Sequence, residues 1–220
     1  MRQDDGVSSS DPVFRIVVLA SGSGTNLQAI LDRLHGREGI EVVGVGSDKP
    51  GAFALERARA AKVETAIFPR EDFIDREERD RAMADWIDST GADLVVLAGY
   101  MQLVSAGFVA RFRNRIVNVH PALLPSFPGL DAIGQAIDCG VKVTGVTVHF
   151  VDEGTDTGPA ILQRAVEVPS RGGRDALEEK IHAVEHQIYP EAIGMIARGR
   201  VRIAADNPRL VIVDDAGQPD

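Results

Sequence analysis

Continuous β-branched runs alternate with helix-spaced segments, and a Ser/Gly turn joins the first run to the first helix. These observations predict an α/β fold: a Rossmann-like, mostly parallel sheet flanked by helices. Strands covered on both faces read as unbroken apolar runs. Residues 14–20 (FRIVVLA) are such a run and open the sheet. Residues 21–26 form a small-residue loop, and Leu27, Ile30, Leu31 and Leu34 then recur at helical spacing. A second strand is predicted over 41–47, a helix over 51–62 and a short strand over 64–68. The charged helix 75–90 sets Ala82, Met83, Trp86 and Ile87 on one face, with Gly91 at the left-handed cap position. Strand 93–98 follows, then a helix from the cap Ser105 to about 113, then strand 116–119.

The alternation then breaks. Pro121, Pro125 and Pro128 fix an irregular loop over 120–130, and a short helix covers 131–139. Residues 143–151 alternate and pair with 160–168. A long helix over 174–198 turns Ile181, Val184, Ile188 and Ile193 inward, and 201–204 with 210–213 close the chain as a hairpin. The expected organisation is a polar leader over 1–12, one domain over 13–215 with a seam near 115, and a tail over 216–220.

Composition narrows the function. Among 220 residues, 24 Lys and Arg face 33 Asp and Glu, a net charge of −9. That balance argues against nucleic acid or an anionic membrane as partner, though not against a small phosphorylated ligand held by main-chain N–H groups. No apolar run reaches about 18 residues, so no membrane helix is expected. The leader, with Asp4 and Asp5, is no signal peptide, and Cys139 is the only cysteine. A cytoplasmic setting follows. The five histidines lack ligand spacing, and His182 and His186 belong to no HExxH pattern, so no metal is expected.

Three constellations offer chemistry. Ser21-Gly22-Ser23-Gly24-Thr25-Asn26 opens a helix, where glycines admit a close ligand and orphan N–H groups face an anion. It is a poor dinucleotide fingerprint, because Leu27 occupies the third glycine position, and it is no Walker loop. Asp48 after the second strand resembles a ribose-binding acid, but reads better as a solvated turn residue. Asn118 and His120 share one face at the end of a strand, the edge where open α/β sheets bind ligands. An amide N–H suits a developing oxyanion, and an imidazole exchanges protons near pH 7. The turn after residue 151 supplies Asp152, Glu153 and Asp156, any one of which meets His120 if it orients the ring.

Three motifs occur in order: VLASGSGTNLQ at 18–28, NVHPALLP at 118–125, and HFV at 149–151 running to DTGP at 156–159. AGYM at 98–101 and EHQIYP at 185–190 accompany them. Together they closely resemble the folate-dependent phosphoribosylglycinamide formyltransferases over about 14–214. The resemblance implies the formyltransferase fold and transfer of the formyl group of 10-formyltetrahydrofolate, as co-substrate, to the amine of glycinamide ribonucleotide in purine synthesis. It implies Asn118 and His120 at the oxyanion, His120 as proton donor, and Asp156 as the carboxylate that keeps it protonated. By the same likeness Gly24, Thr25 and Asn26 hold the phosphate, Glu185 the ribose and His182 the phosphate region. Met101, Gln102, Leu103 and Val104 clasp the pterin with Asn118 and Asp152, and Arg76 lies near the folate tail. Gln102 and Ile133 depart from an Arg and a His of some members.

The alternatives share the chemistry or the scaffold. Formyltetrahydrofolate deformylase carries an added N-terminal domain, and methionyl-tRNA formyltransferase a basic RNA-binding one. A regulatory nucleotide-binding module would lack the Asn/His/Asp set, and a nicotinamide oxidoreductase would bind NADH. The expected partners are small molecules only, with the protein a monomer or homodimer.

Overall fold

The computed structural model describes residues 12–214. The expected leader and tail therefore lie outside the described residues, apart from Pro12. Seven strands form one sheet in the order β3-β2-β1-β4-β5-β6-β7. They are β1 (Phe14–Leu19), β2 (Ile40–Ser47), β3 (Thr65–Ile67), β4 (Leu94–Leu97), β5 (Ile116–His120), β6 (Val143–Phe150) and β7 (Ala160–Glu167). The first five run parallel, and β6 and β7 add antiparallel to the edge left by β5. The helices are α1 (Thr25–Arg33), α2 (Phe53–Ala60), α3 (Arg76–Thr90), α4 (Ala106–Arg111), α5 (Ala132–Asp138) and α6 (Gly173–Ala197). The hairpin β8 (Val201–Ile203) and β9 (Val211–Val213) is a separate two-stranded sheet.

Alternation along each strand divides the core between two layers. Ile16 and Val18 of β1, Val96 of β4 and Val117 and Val119 of β5 pack with Leu27, Ile30, Leu55, Ile181 and Ile188 on the side of α1, α2 and α6. Val17 and Leu19 pack with Met83, Ile87, Phe108 and Phe112 on the side of α3 and α4. Glycine inside β2 has a packing cause. A Cβ on Gly44 would come 2.8 Å from the Trp86 ring, so the strand lets that indole close on it. The caps fall as expected. The Ser105 side chain accepts from the Phe108 N–H, and Gly91 ends α3 at φ 68°.

This topology places a site. Strand β1 leads outward through β2 and β3, whereas its other neighbour β4 leads through β5. The loops leaving β1 and β4 therefore diverge, and a crevice opens above their C-terminal ends. The Ser21 N–H donates to the Gly99 carbonyl at 3.1 Å, joining the floors of the two loops.

Candidate active site

The Ser/Gly turn ends on Gly24 at φ 70°, the N-cap of α1, with no side-chain cap. A Cβ there would meet the Ala54 Cα at 2.8 Å, so both the left-handed backbone and the packing of α2 require glycine. The turn is braced from outside: the Ala54 N–H donates to Gly22, and Arg57 donates to the Ser23 carbonyl at 2.8 Å. The first intrahelical bond is Gln28 N–H to Gly24 O, which leaves the N–H groups of Thr25, Asn26 and Leu27 to face an anion. Beside them Asn26 donates its amide to Glu185 Oε2 of α6 at 2.9 Å. Glu185 is buried, and burial raises its pKa although the Asn26 bond and the nearby His182 oppose the rise. Asn26 Oδ1 is buried without a partner, an acceptor ready for a ligand hydroxyl or amine.

At the end of β5, Asn118 and His120 lie on one face, and the antiparallel register sets His149 of β6 opposite Asn118. His120 is 4% exposed. Its Nε2 lies 2.8 Å from the Phe127 carbonyl and its Nδ1 3.3 Å from Asp156 Oδ2. Both neighbours are acceptors, so the ring serves both only with a proton on each nitrogen. Phe127 adopts φ 54°, a costly conformation for a bulky residue, and its carbonyl faces the ring. Asp156 also sits at φ 54°, and accepts the Gly129 N–H at 2.8 Å. Burial pushes its pKa up. The His149 hydrogen bond, the Gly129 N–H and the charges of His120 and His149 outweigh burial and hold the carboxyl below the usual range.

The structure thus brings His120 and Asp156 together and leaves Asp152 and Glu153 apart from the ring. Asp152 Oδ1 instead accepts from Thr157 Oγ1 and the Gly154 N–H within its own loop, and Glu153 faces Arg113. Asn118 reaches Asp156 through His149. The His149 Nε2 lies 3.3 Å from Asn118 Nδ2 and 3.7 Å from Asp156 Oδ1, while its Nδ1 donates to the Phe150 carbonyl. With Nδ1 donating, Nε2 accepts from Asn118, and Asp156 Oδ1 at 3.7 Å lies within ion-pair range of the ring. His149 was legible only as part of a motif. Its cross-strand register with Asn118 is the signal that gives it a place here.

Residues 101–104 leave β4 over the crevice. The Met101 N–H donates to Ser21 Oγ at 2.9 Å, and the Met101 and Leu103 side chains are exposed. Gln102 donates to Asp48 Oδ2 at 3.1 Å. Asp48 is 7% exposed, which corrects the solvated-turn expectation: the segment 54 residues further along covers it. Val104 is half-buried against the α3–α4 layer. Arg76 lies in the first turn of α3, about half exposed and paired with Glu77. His182 is exposed and stacks on His186 at 6.4 Å, and burial lowers the pKa of that neighbour. Tyr189 belongs to the EHQIYP motif, which assigns it no role. Its hydroxyl bridges the Leu97 and Val117 carbonyls at 2.9 and 3.0 Å, pinning α6 beneath the ends of β4 and β5.

A formyl transferase family profile matches residues 14–193. The phosphoribosylglycinamide formyltransferase of Escherichia coli (strain K12) is 42% identical over 191 residues, covering 86% of this chain and 90% of that protein. The trifunctional purine biosynthetic protein adenosine-3 of Drosophila melanogaster is 42% identical over 195 residues, and the chain spans only 14% of its length. Among solved structures, glycinamide ribonucleotide transformylase 1 from Symbiobacterium toebii superposes with a TM-score of 0.87 at 49% identity, covering 92% of this chain and 95% of that one. With a match that spans both the glycine turn and the Asn118–His120–Asp156 cluster, the chain belongs to the formyl transferase family.

Proposed function

We propose that the protein transfers the formyl group of 10-formyltetrahydrofolate to the amine of glycinamide ribonucleotide, a step of purine biosynthesis. One observation carries the reading. An amide, an imidazole with both nitrogens against acceptors, and a carboxylate converge at the open end of β5, beside a helix N-terminus built for an anion. Relatives that bear this activity in their names and match over nearly their full length support it.

The residues present fit both substrates. The free N–H groups of Thr25, Asn26 and Leu27 suit a phosphate, and the Glu185 carboxylate with the unpartnered Asn26 Oδ1 suits ribose hydroxyls. The exposed apolar Met101 and Leu103, on a segment whose main chain offers donors and acceptors, suit a flat pterin. The folate supplies an activated one-carbon unit. Transfer requires that a C–N bond to the glycinamide amine forms as the C–N bond to folate breaks, that the amine loses a proton, and that the folate nitrogen gains one. The Asn118 amide, and the His120 Nε2–H once it leaves the Phe127 carbonyl for the substrate, stabilise negative charge on the formyl oxygen. His120 delivers the proton to the leaving nitrogen. Asp156 keeps that proton on the ring and takes up, directly or through water, the proton the amine sheds.

The reading gives the protein small-molecule partners and a cytoplasmic place. Among the described residues no helix is long and apolar enough to cross a membrane, and Cys139 is a free thiol. The test follows folate absorbance with purified protein and both substrates. Formyl-folate consumption that depends on the ribonucleotide is the expected result. Consumption with water alone indicates deformylation and overturns the reading, as does tight NADH binding without formyl transfer.

A further inference from the structure

Four buried polar side chains converge under residues 101–105. Ser21 takes the Met101 N–H at 2.9 Å, and Asp48 takes the Gln102 amide at 3.1 Å. Arg79 is 3% exposed and Asp80 1%. The Arg79 guanidinium grips Asp80 Oδ1 with Nε at 3.0 Å and one terminal nitrogen at 2.7 Å. The same terminal nitrogen lies 3.4 Å from the Leu103 carbonyl, and the other 3.4 Å from Gln102 Oε1. Asp80 Oδ2 accepts the main-chain N–H of Ser105, where α4 begins. Charged groups are rarely buried so completely unless paired, and a well-packed apolar pair in their place is often as stable or more so. Fold stability alone therefore leaves this arrangement unexplained. Its geometry has a direction: every arm beyond the ion pair ends on the segment between β4 and α4.

We infer that Arg79, held by Asp80, is a positioning residue that fixes the shape of segment 101–105, and through it the binding of the folate co-substrate. The inference rests on the proposed function and deepens it. Arg79 is almost wholly buried and so acts through the segment rather than on a substrate. Its planar fork reaches three acceptors at once, which a lysine ammonium on a flexible stem cannot do. It also accounts for Gln102, whose side chain is drawn between Asp48 and Arg79 and so belongs to the floor of the pocket.

The decisive variant is Arg79→Lys, which keeps a cation beside Asp80 and removes the fork. Arg79→Met is the companion, and it strands the Asp80 carboxylate and lowers Tm. For Arg79→Lys, Tm is expected to fall by a few degrees, less than in Arg79→Met. The KM for formyl folate is expected to rise about tenfold, as for a lost hydrogen bond to a charged group, with the ribonucleotide KM unchanged. Amide hydrogen exchange over 101–105 is expected to quicken while the core strands keep their protection. Wild-type folate KM and exchange in Arg79→Lys, or exchange quickened across the whole protein, would overturn the inference. Should the wild-type enzyme fail to transfer formyl groups, the proposed function falls, and the exchange measurement, which needs no substrate, still decides the role of Arg79.

Discussion

The turn between β1 and α1 and the strand pair β5–β6 offer a ligand different things. The turn presents main chain: N–H groups at the start of a helix, shaped by one left-handed glycine and braced by α2. The strand pair presents side chains. Asn118, His120 and His149 reach the site because an antiparallel register sets β6 beside β5, and Asp156 because the loop after β6 folds back over them. Main-chain sites tolerate exchange of most side chains and fail when the backbone is forced to move. Side-chain clusters fail when a single atom type changes. The two carboxylates mark the same contrast. Asp156, ringed by donors, is held below the usual carboxylate range, whereas Glu185, sunk in the protein beside the turn, is pushed above it.

The largest expected effect lies in the side-chain cluster. His120→Ala should lower turnover by about 10²–10⁴, the range for a lost general acid, with ribonucleotide affinity nearly intact. Stopped-flow transfer and ribonucleotide calorimetry on the variant check the split. Gly24→Ala should do the reverse. A Cβ in the left-handed region and against the Ala54 backbone costs about 1–3 kcal/mol. The expected results are a lower denaturant midpoint and a raised ribonucleotide KM, with a smaller change in turnover at saturation. If Gly24→Ala abolished turnover at saturating ribonucleotide, the division between a binding turn and a reacting strand pair would fail.

Glu185→Gln is the subtler case. A carboxyl with a raised folded pKa favours the folded state most when protonated, at pH below its unfolded value. That advantage is lost as pH rises through the folded value. Stability of wild type relative to Glu185→Gln should therefore decline from about pH 4 toward pH 7. By neutral pH the variant should be the more stable, by about 1 kcal/mol, while binding the ribonucleotide more weakly. Thermal unfolding across that range measures it, and parallel curves for the two proteins would contradict it.

Legibility in the sequence followed how local each feature is. The glycine turn, the first helix and the strand-end Asn118 and His120 are contiguous, so periodicity and turn chemistry placed them. The partner of His120 was not local. Residue chemistry alone leaves three acids of one short turn open; the family resemblance singles out Asp156, and the way the loop folds over β5 gives the physical reason. Phe127 enters through its carbonyl, which no side-chain pattern advertises. Asp48 read as a solvated turn residue because what buries it comes from the loop after β4. Arg79 and Asp80 lie in a helix so charged that its buried pair was indistinguishable from its solvated face.

The claim that most depends on the geometry is that Asp156 holds His120 ready to give up a proton. Asp156→Asn keeps the shape and an oxygen for the Gly129 N–H, and removes the negative charge 3.3 Å from His120 Nδ1. Single-turnover formyl transfer by this variant, measured beside substrate binding, tests it most directly. The expected result is a fall in the transfer rate of about 10²–10³ with both affinities within about threefold of wild type. A transfer rate close to that of wild type, or a loss confined to substrate binding, would contradict it.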